Sequence, residues 1–164
     1  MKKITFLLII MSVVGLLLTG CTEKENLKAF DSESEAIEYG IKKSPEIVEI
    51  LGESKYVYNE KIIVYLFRTN KGEGLGTASL IQKKKKVSWI TNGNGALVKQ
   101  TKGNTTIEKV IESASGIKYD FYAGVAKNSN ISIETRTDYD VKPHIDKKSN
   151  IYYYLSPLPV KKGK

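Results

Sequence analysis

The six residues from Ile62 to Phe67, with the sequence IIVYLF, decide the fold more than any other stretch of this chain. They form a continuous apolar run of branched and aromatic side chains. Successive side chains of a strand point to opposite faces of its sheet, so a run without polar gaps suits a strand that is covered on both faces. The sequence therefore predicts a central strand here, with a packed layer on each side of its sheet.

Further strands are predicted to follow this central one. Residues 70–74 (NKGEG) form a turn because of their glycines and asparagine. Residues 75–82, 87–91 and 96–100 have the apolar, branched composition of strands. Residues 92–95 (NGNG) contain two pairs that favour positive φ, and they predict a tight reversal of the chain. The expected arrangement is an antiparallel meander.

A helix is predicted just before the strands. Ser32 can cap its first turn, and Glu35, three residues later, completes a capping box. One face of this helix is apolar, formed by Ala36, Ile37, Gly40 and Ile41. Ser44 and Pro45 end it, and residues 46–51 form either a helical turn or an extended segment. Residues 31–100 are therefore expected to be a helix packed on an antiparallel sheet.

Residues 101–164 are predicted to form a second, β-rich subdomain, which makes the whole protein α+β. A polar linker leads to a short helix over 106–113, where Ile107, Val110 and Ile111 have helical spacing. This second small unit continues with antiparallel strands at 117–125, around Ile131 and Ile133, and at 151–155. Residues 161–164 (KKGK) form a basic tail.

The composition is that of a folded domain: 41% of the 164 residues are hydrophobic and 27% are charged. Cys21 is the only cysteine. An intramolecular disulfide and a thiol cluster for a metal are therefore both excluded. The domain has to be stabilised by its hydrophobic core.

The first residues have the three zones of an export signal. Lys2 and Lys3 supply a positive start, and the segment from Ile4 to Leu18 is almost wholly apolar. Its 15 residues are fewer than the roughly 20 that a membrane-spanning helix needs. Small residues then precede the cysteine in the sequence Leu18-Thr19-Gly20-Cys21.

This tetrapeptide resembles the lipobox of bacterial lipoproteins, and across residues 1–21 the chain resembles the small surface lipoproteins of Gram-positive bacteria. The resemblance implies that the Cys21 sulfur carries a diacylglyceryl group and that cleavage after Gly20 makes Cys21 the mature N-terminus. Two acyl chains hold a protein at a membrane where one does not. The expected organisation is a signal over 1–20, a tether over 21–30, and a domain on the extracytoplasmic face of the cell membrane. The alternative is an ordinary secretory signal with a chance cysteine.

The charge of the chain bears on its partners. Loss of residues 1–20 removes Lys2 and Lys3 and lowers the net charge from +8 to +6. The basic residues are almost all lysines, whereas bidentate phosphate recognition favours arginine, and the export signal also argues against nucleic acid. Anionic lipid headgroups or wall polymers would attract such a domain. The largest basic block is a candidate contact or, alternatively, a solvated hairpin tip that discourages edge-to-edge pairing: Lys83, Lys84, Lys85 and Lys86.

No catalytic or cofactor motif is recognisable. His144, the only histidine, lies between Asp140 and Asp146 and suggests a metal site or an acid–base pair, but the spacing matches no known ligand pattern. The glycines of residues 72–76 resemble a phosphate loop only loosely, and a hairpin turn explains them. No metal or other cofactor is expected. An enzyme, if the protein is one, would be a hydrolase of wall or lipid material near His144.

Ten tyrosines are many for this length. Tyrosine combines an apolar ring with a hydrogen-bonding tip and is enriched at binding surfaces. Tyr152 and Tyr154 share one face of a predicted strand, so with Tyr122 they form a candidate surface for a protein partner, unless both faces of that strand are buried. The sequence favours a non-catalytic binding or accessory module with an unknown ligand; a structural or immunity-type surface protein is a further alternative.

Overall fold

The computed structural model describes residues 27–100 and 102–159. In these residues it contains one helix and two antiparallel sheets, and the predicted α+β class is confirmed. The residues of the predicted lipobox, Leu18, Thr19, Gly20 and Cys21, and the predicted basic tail lie outside the described part of the chain.

The first sheet contains six strands and the second contains four. Helix α1 precedes both and spans Glu33–Lys43. The strands of the first sheet are β1 Ile47–Glu53, β2 Glu60–Thr69, β3 Gly72–Lys83, β4 Lys86–Thr91, β5 Ala96–Gln100 and β6 Gly103–Asn104. Those of the second sheet are β7 Ile107–Glu112, β8 Lys118–Val125, β9 His144–Ile145 and β10 Ile151–Pro157.

Helix α1 begins and ends where the sequence predicted. Ser32 is its N-cap, and the Ser32 Oγ accepts a hydrogen bond from the Glu35 amide (3.2 Å). At the other end the Ser44 amide donates to the Gly40 and Ile41 carbonyls. Ala36 and Gly40 are the buried positions of the helix and face β4, whereas Ile41 is exposed. The face of the helix that is buried against the sheet is therefore narrower than its apolar pattern predicts.

Strand β2 lies in the middle of the molecule, as its apolar run predicts. Ile62, Val64 and Leu66 point to the second sheet, whereas Ile63 and Tyr65 point to the helix. The inter-sheet core continues through Leu75, Val98, Ile107, Ile111, Tyr119, Phe121, Ala123 and Ile151. The helix-side core continues through Ala36, Ile47, Ala78, Leu80, Val87 and Trp89. One strand thus contributes to both cores because its two faces are both apolar.

The predicted reversal at residues 92–95 is wrong. Strands β4 and β5 both pair antiparallel with β3, so they run in the same direction and lie end to end along one edge of it. The loop between them is a short excursion: Gly93 has a φ of +66°, and the Asn92 amide still donates to the Thr77 carbonyl (2.8 Å). Strand β3 is long enough to pair with both segments, and this favours continuation over a hairpin.

The predicted helix over 106–113 is also wrong, because residues Ile107–Glu112 form strand β7. Ile107 and Ile111 are four residues apart, which places them on one face of either a helix or a strand. Val110 distinguishes the two structures, since it would share the apolar face only in a helix, and here it is 39% exposed. Pairing with β8 along the whole of β7 decided the outcome.

For two other segments the structure decides between alternatives or differs from the prediction. Residues 46–51 are extended, since β1 begins at Ile47. Ile131 and Ile133 lie in a loop, and Ile133 makes only an isolated bridge to Val141. Within the described ranges, no helix is long and apolar enough to cross a membrane.

Candidate functional site

The four consecutive lysines form the tip of the β3–β4 hairpin. Lys83 pairs with Lys86, and the two residues between them have left-handed φ values, 45° for Lys84 and 66° for Lys85. A two-residue turn of this kind is normally built from Asn-Gly or similar pairs, because side chains with a Cβ are strained there. The tip therefore holds its lysines at some conformational cost.

The turn between β1 and β2 lies directly beside this hairpin. The Gln82 amide donates to the Asn59 carbonyl (2.8 Å), and the Asn59 Nδ2 donates to the Gln82 carbonyl (3.2 Å). The preceding residue, Tyr58, has a φ of 56° and is 88% exposed. A large aromatic side chain thus projects into solvent from the turn that borders the hairpin.

The N-terminal segment joins the fold at the same place. Phe30 forms a two-way backbone bridge with Val87, which follows Lys86. The Lys86 Nζ also lies 2.5 Å from the Asp31 Oδ1. We call the surface formed by residues 27–30, 56–59 and 83–86 the tether end, because the segment that precedes residue 27 joins the domain there.

The charges of the tether end are unbalanced. In the described part of the chain, no carboxylate lies within 4.0 Å of the amino group of Lys83, Lys84 or Lys85. The opposite end of β3 differs, because there Glu73 pairs with both Arg68 (2.6 Å) and Lys99 (3.8 Å). The two ends of the first sheet therefore present different electrostatic surfaces.

The residues of the candidate histidine site each contact other groups. His144 lies on β9, 5.0 Å from the Tyr153 ring between centroids. The Asp146 carboxylate accepts hydrogen bonds from the Ser149 amide (2.7 Å) and hydroxyl (2.6 Å), and Asp140 lies 3.9 Å from the Lys142 Nζ. Among the described residues, no group of three His, Cys, Asp or Glu side chains is placed to hold a metal.

The candidate tyrosine surface is largely covered. Tyr122 and Tyr152 are buried, whereas Tyr154 is partly exposed. The Tyr122 hydroxyl accepts a hydrogen bond from the Arg136 amide (2.9 Å), and the Tyr152 ring lies over Gly124. The loop before β9 thus packs on this side of the second sheet, and a partner would meet Tyr154 first.

A groove with a volume of about 440 Å³ lies beside the end of β2. Tyr65 and Phe67 line it, together with Ser44, Thr69, Thr91 and the loop of residues 93–95, and Glu46 is its charged side chain. No lysine or arginine lines this groove. The charged side chain that lines this groove is thus a carboxylate, whereas the tether end carries lysines.

Sequence reasoning missed a buried polar cluster between the sheets. Glu60 is fully buried, and its carboxylate accepts hydrogen bonds from the Ser113 hydroxyl (2.7 Å) and the Ser115 amide (3.3 Å). Ser79 adds a second bridge, since its Oγ accepts from the Ala114 amide (3.1 Å). Burial, and to a lesser degree the Glu60 carboxylate, raises the pKa of Tyr119 nearby. These contacts fasten the β7–β8 turn to the first sheet.

A second charged group lies on the helix side. The Lys61 Nζ contacts Glu33 (2.9 Å) and Glu53 (3.1 Å) and lies 4.9 Å from the Tyr56 ring centroid. Burial of Lys61 acts to lower its pKa, but the hydrogen bonds that Lys61 donates to both carboxylates outweigh this and raise it. The hydrogen bond from Lys61 in turn lowers the pKa of Glu33. This group ties α1 to β1 and β2.

Comparison with known protein families, with curated proteins and with solved structures finds no match for this chain.

Proposed function

We propose that this protein is a lipid-anchored module of the extracytoplasmic membrane face and that it acts by binding rather than by catalysis. The observation that carries the proposal is the lipobox at residues 18–21, followed so closely by the folded domain. Among the described residues, the first one fixed by backbone hydrogen bonds is Phe30, nine residues after Cys21. Nine extended residues span at most roughly 30 Å, so the domain stays close to the lipid surface.

A binding role fits the side chains that the fold brings together. The exposed lysines of the tether end offer attraction to anionic headgroups. The groove over Tyr65 and Phe67 offers aromatic contacts with a polar rim that includes the Glu46 carboxylate. His144, Asp140 and Asp146, by contrast, are each held by other contacts and do not converge on one point. The protein partner predicted at Tyr154 stays a prediction.

The anchor is tested by mass spectrometry of the native protein and by fractionation. We expect a mature N-terminal peptide that begins at Cys21 and carries a diacylglyceryl group. We also expect the wild-type protein to stay with membranes in high salt. Cys21→Ala should abolish both the lipid and the cleavage before residue 21, whereas Thr22→Ala, the matched control, should retain both. An unmodified Cys21 thiol, or residues 1–20 still attached in the mature protein, would contradict the proposal.

A further inference from the structure

We propose that the tether end is a second membrane contact, which docks the domain on an anionic bilayer with the β3–β4 hairpin and Tyr58 against the headgroups. This inference rests on the proposed lipid anchor. The anchor holds the domain near the bilayer, and the tether end determines which part of the domain faces the bilayer.

The position of the anchored segment is the first argument. Phe30 bridges to Val87 beside the lysine hairpin, so the chain from Cys21 joins the domain at this end. The opposite end of β3 lies roughly 35 Å further along the strand. With at most roughly 30 Å of tether before Phe30, the lysine hairpin lies closer to the proposed anchor than the opposite end of β3 does.

The chemistry of the surface is the second argument. Lysines near a bilayer are attracted to anionic headgroups. Within the described ranges, the amino groups of Lys83, Lys84 and Lys85 have no carboxylate within 4.0 Å, whereas Lys86 pairs with Asp31. Tyrosine prefers the headgroup level of a bilayer, where its ring is sheltered and its hydroxyl is hydrated. Tyr58 is 88% exposed, and Leu27 is 49% exposed. Charged and apolar side chains thus project from the same end.

The backbone is the third argument. Tyr58, Lys84 and Lys85 all have left-handed φ values, and the two turns that contain them are neighbours. Residues other than glycine cost of order 1 kcal/mol each in this region. Asn-Gly in the hairpin would remove this cost but would also remove two positive charges. The hairpin thus carries two positive charges at its tip in place of a less strained turn.

The experiment uses the full-length, lipidated protein in vesicles of phosphatidylcholine, with or without phosphatidylglycerol. Cys21 is the only native cysteine and its sulfur carries the lipid, so a fluorophore can be attached to Tyr58→Cys alone. Asn70→Cys, in the turn at the opposite end of β3, is the matched control position. Nitroxides on the lipid headgroups report proximity by quenching.

We expect headgroup nitroxides to quench the fluorescence of the probe at position 58 in anionic vesicles at low salt. The fluorescence of the probe at position 70 should remain unquenched. The quenching at 58 should fall in neutral vesicles and in 1 M salt, where the Debye length shrinks to about 3 Å. Equal quenching at both positions in anionic vesicles would overturn the inference. Loss of the quenching at position 58 when a soluble glycerol-phosphate polymer is added at equal charge would also overturn the inference, since it would assign the surface to a wall polymer.

A variant separates the charge from the fold. Lys84→Asn/Lys85→Gly suits the two-residue turn, so the domain should unfold at an equal or higher urea concentration. Each lysine is worth roughly five-fold in membrane attraction, so the docked fraction relative to the undocked should fall roughly 25-fold at low salt. Lys127→Gln/Lys147→Gln removes the same charge from exposed loops of the second sheet and should preserve docking. Equal losses in the two variants would count against a local surface.

The two proposals fail in different ways. If the unlabelled protein separates from vesicles during flotation, the anchor is absent and the proposed function fails. If it floats with the vesicles but position 58 stays unquenched in anionic vesicles at low salt, the anchor stands and the docking surface is wrong.

Discussion

Glu60 and Lys61 are neighbours on β2, yet their side chains lie on opposite faces of the first sheet and are paired in different ways. Glu60 points to the second sheet and is fully buried, with neutral donors from Ser113 and Ser115. Lys61 points to the helix side and pairs with Glu33 and Glu53, whose side chains are 37% and 54% exposed.

The two contacts differ in how much they contribute to the stability of the folded protein. A buried polar group that loses its partner bears the full cost of desolvation, whereas an ion pair near water is screened and easily replaced by solvent. The inter-sheet face therefore depends on specific polar partners at its edge. The helix-side face depends on shape, above all on the fit of Gly40 against Trp89, and only weakly on its charges.

The largest effect is expected from Glu60→Ala. Removal of the carboxylate leaves the Ser113 hydroxyl and the Ser115 amide without their acceptor, and the free energy of unfolding should fall by about 3 kcal/mol. Urea unfolding measures this value. Glu38→Ala, on the exposed side of α1, is the control and should change stability by less than about 0.5 kcal/mol. In a Ser113→Ala background the loss from Glu60→Ala should be smaller, because the two residues are coupled; equal losses in the two backgrounds would deny that coupling.

A smaller effect is expected from Gly40→Ala on the helix side. A Cβ at this position would lie 2.3 Å from the Trp89 Cε2, so the ring has to move. Alanine favours a helix over glycine by about 1 kcal/mol, but overpacking should outweigh this and lower stability by about 1 to 2 kcal/mol. The fluorescence of Trp89, the only tryptophan, should shift as well.

Ser34→Ala is the matched control for that substitution, because it lies on the exposed side of the same helix. It should leave both stability and the Trp89 fluorescence close to wild type. A stabilising Gly40→Ala with unchanged fluorescence would show that the glycine is not needed for the fit.

The smallest effect is expected from Lys61→Met, which keeps the apolar stem and removes both ion pairs. Because Glu33 and Glu53 are partly exposed, the loss at neutral pH should be at most about 1 kcal/mol. The effect should depend on pH. The pKa of Glu33 is lowered in the folded protein, so its contribution is present above the ordinary glutamate pKa, near 4.3, and is lost as the pH falls through the folded value.

Acid unfolding curves check this prediction. The acid-sensitive part of the stability should shrink in Lys61→Met but not vanish, since Asp146 titrates in the same direction. Burial acts to raise the pKa of Asp146, but the hydrogen bonds from Ser149 outweigh it and lower the pKa. Lys55→Met, an exposed substitution, should leave the acid curve unchanged; a parallel change in both variants would assign the effect to net charge instead.

The sequence predicted the parts of the fold that depend on local signals. Ser32 and Glu35 placed the start of α1, and the unbroken run at residues 62–67 placed the central strand. The prediction from sequence was wrong where the same residue pattern is compatible with two local structures. Ile107 and Ile111 fit either a helix or a strand, and the glycines of residues 92–95 fit either a reversal or an excursion within a long paired edge.

Some residues of the candidate sites could likewise be recognised from the sequence, and others could not. The lysine hairpin was recognisable as a tip, because like charges adjacent in sequence favour exposed turns. Tyr58 was missed, because nothing near it in the sequence distinguishes an exposed turn tyrosine from a core residue. Glu60 was missed for the opposite reason: a charge just before a strand is ordinarily exposed, and its partners Ser113 and Ser115 are more than fifty residues away.

By itself, the sequence determined the α+β class, the helix cap, the two-faced central strand and the expectation of a lipid on Cys21. Each of these follows from neighbouring residues and their periodicity. Only the tertiary structure decided that Phe30, Tyr58 and the lysine hairpin meet at one end, and that Glu60 fastens the two sheets together. Such juxtapositions depend on which strands pair and in what register, and pairing between distant segments is set by the packing of the whole core.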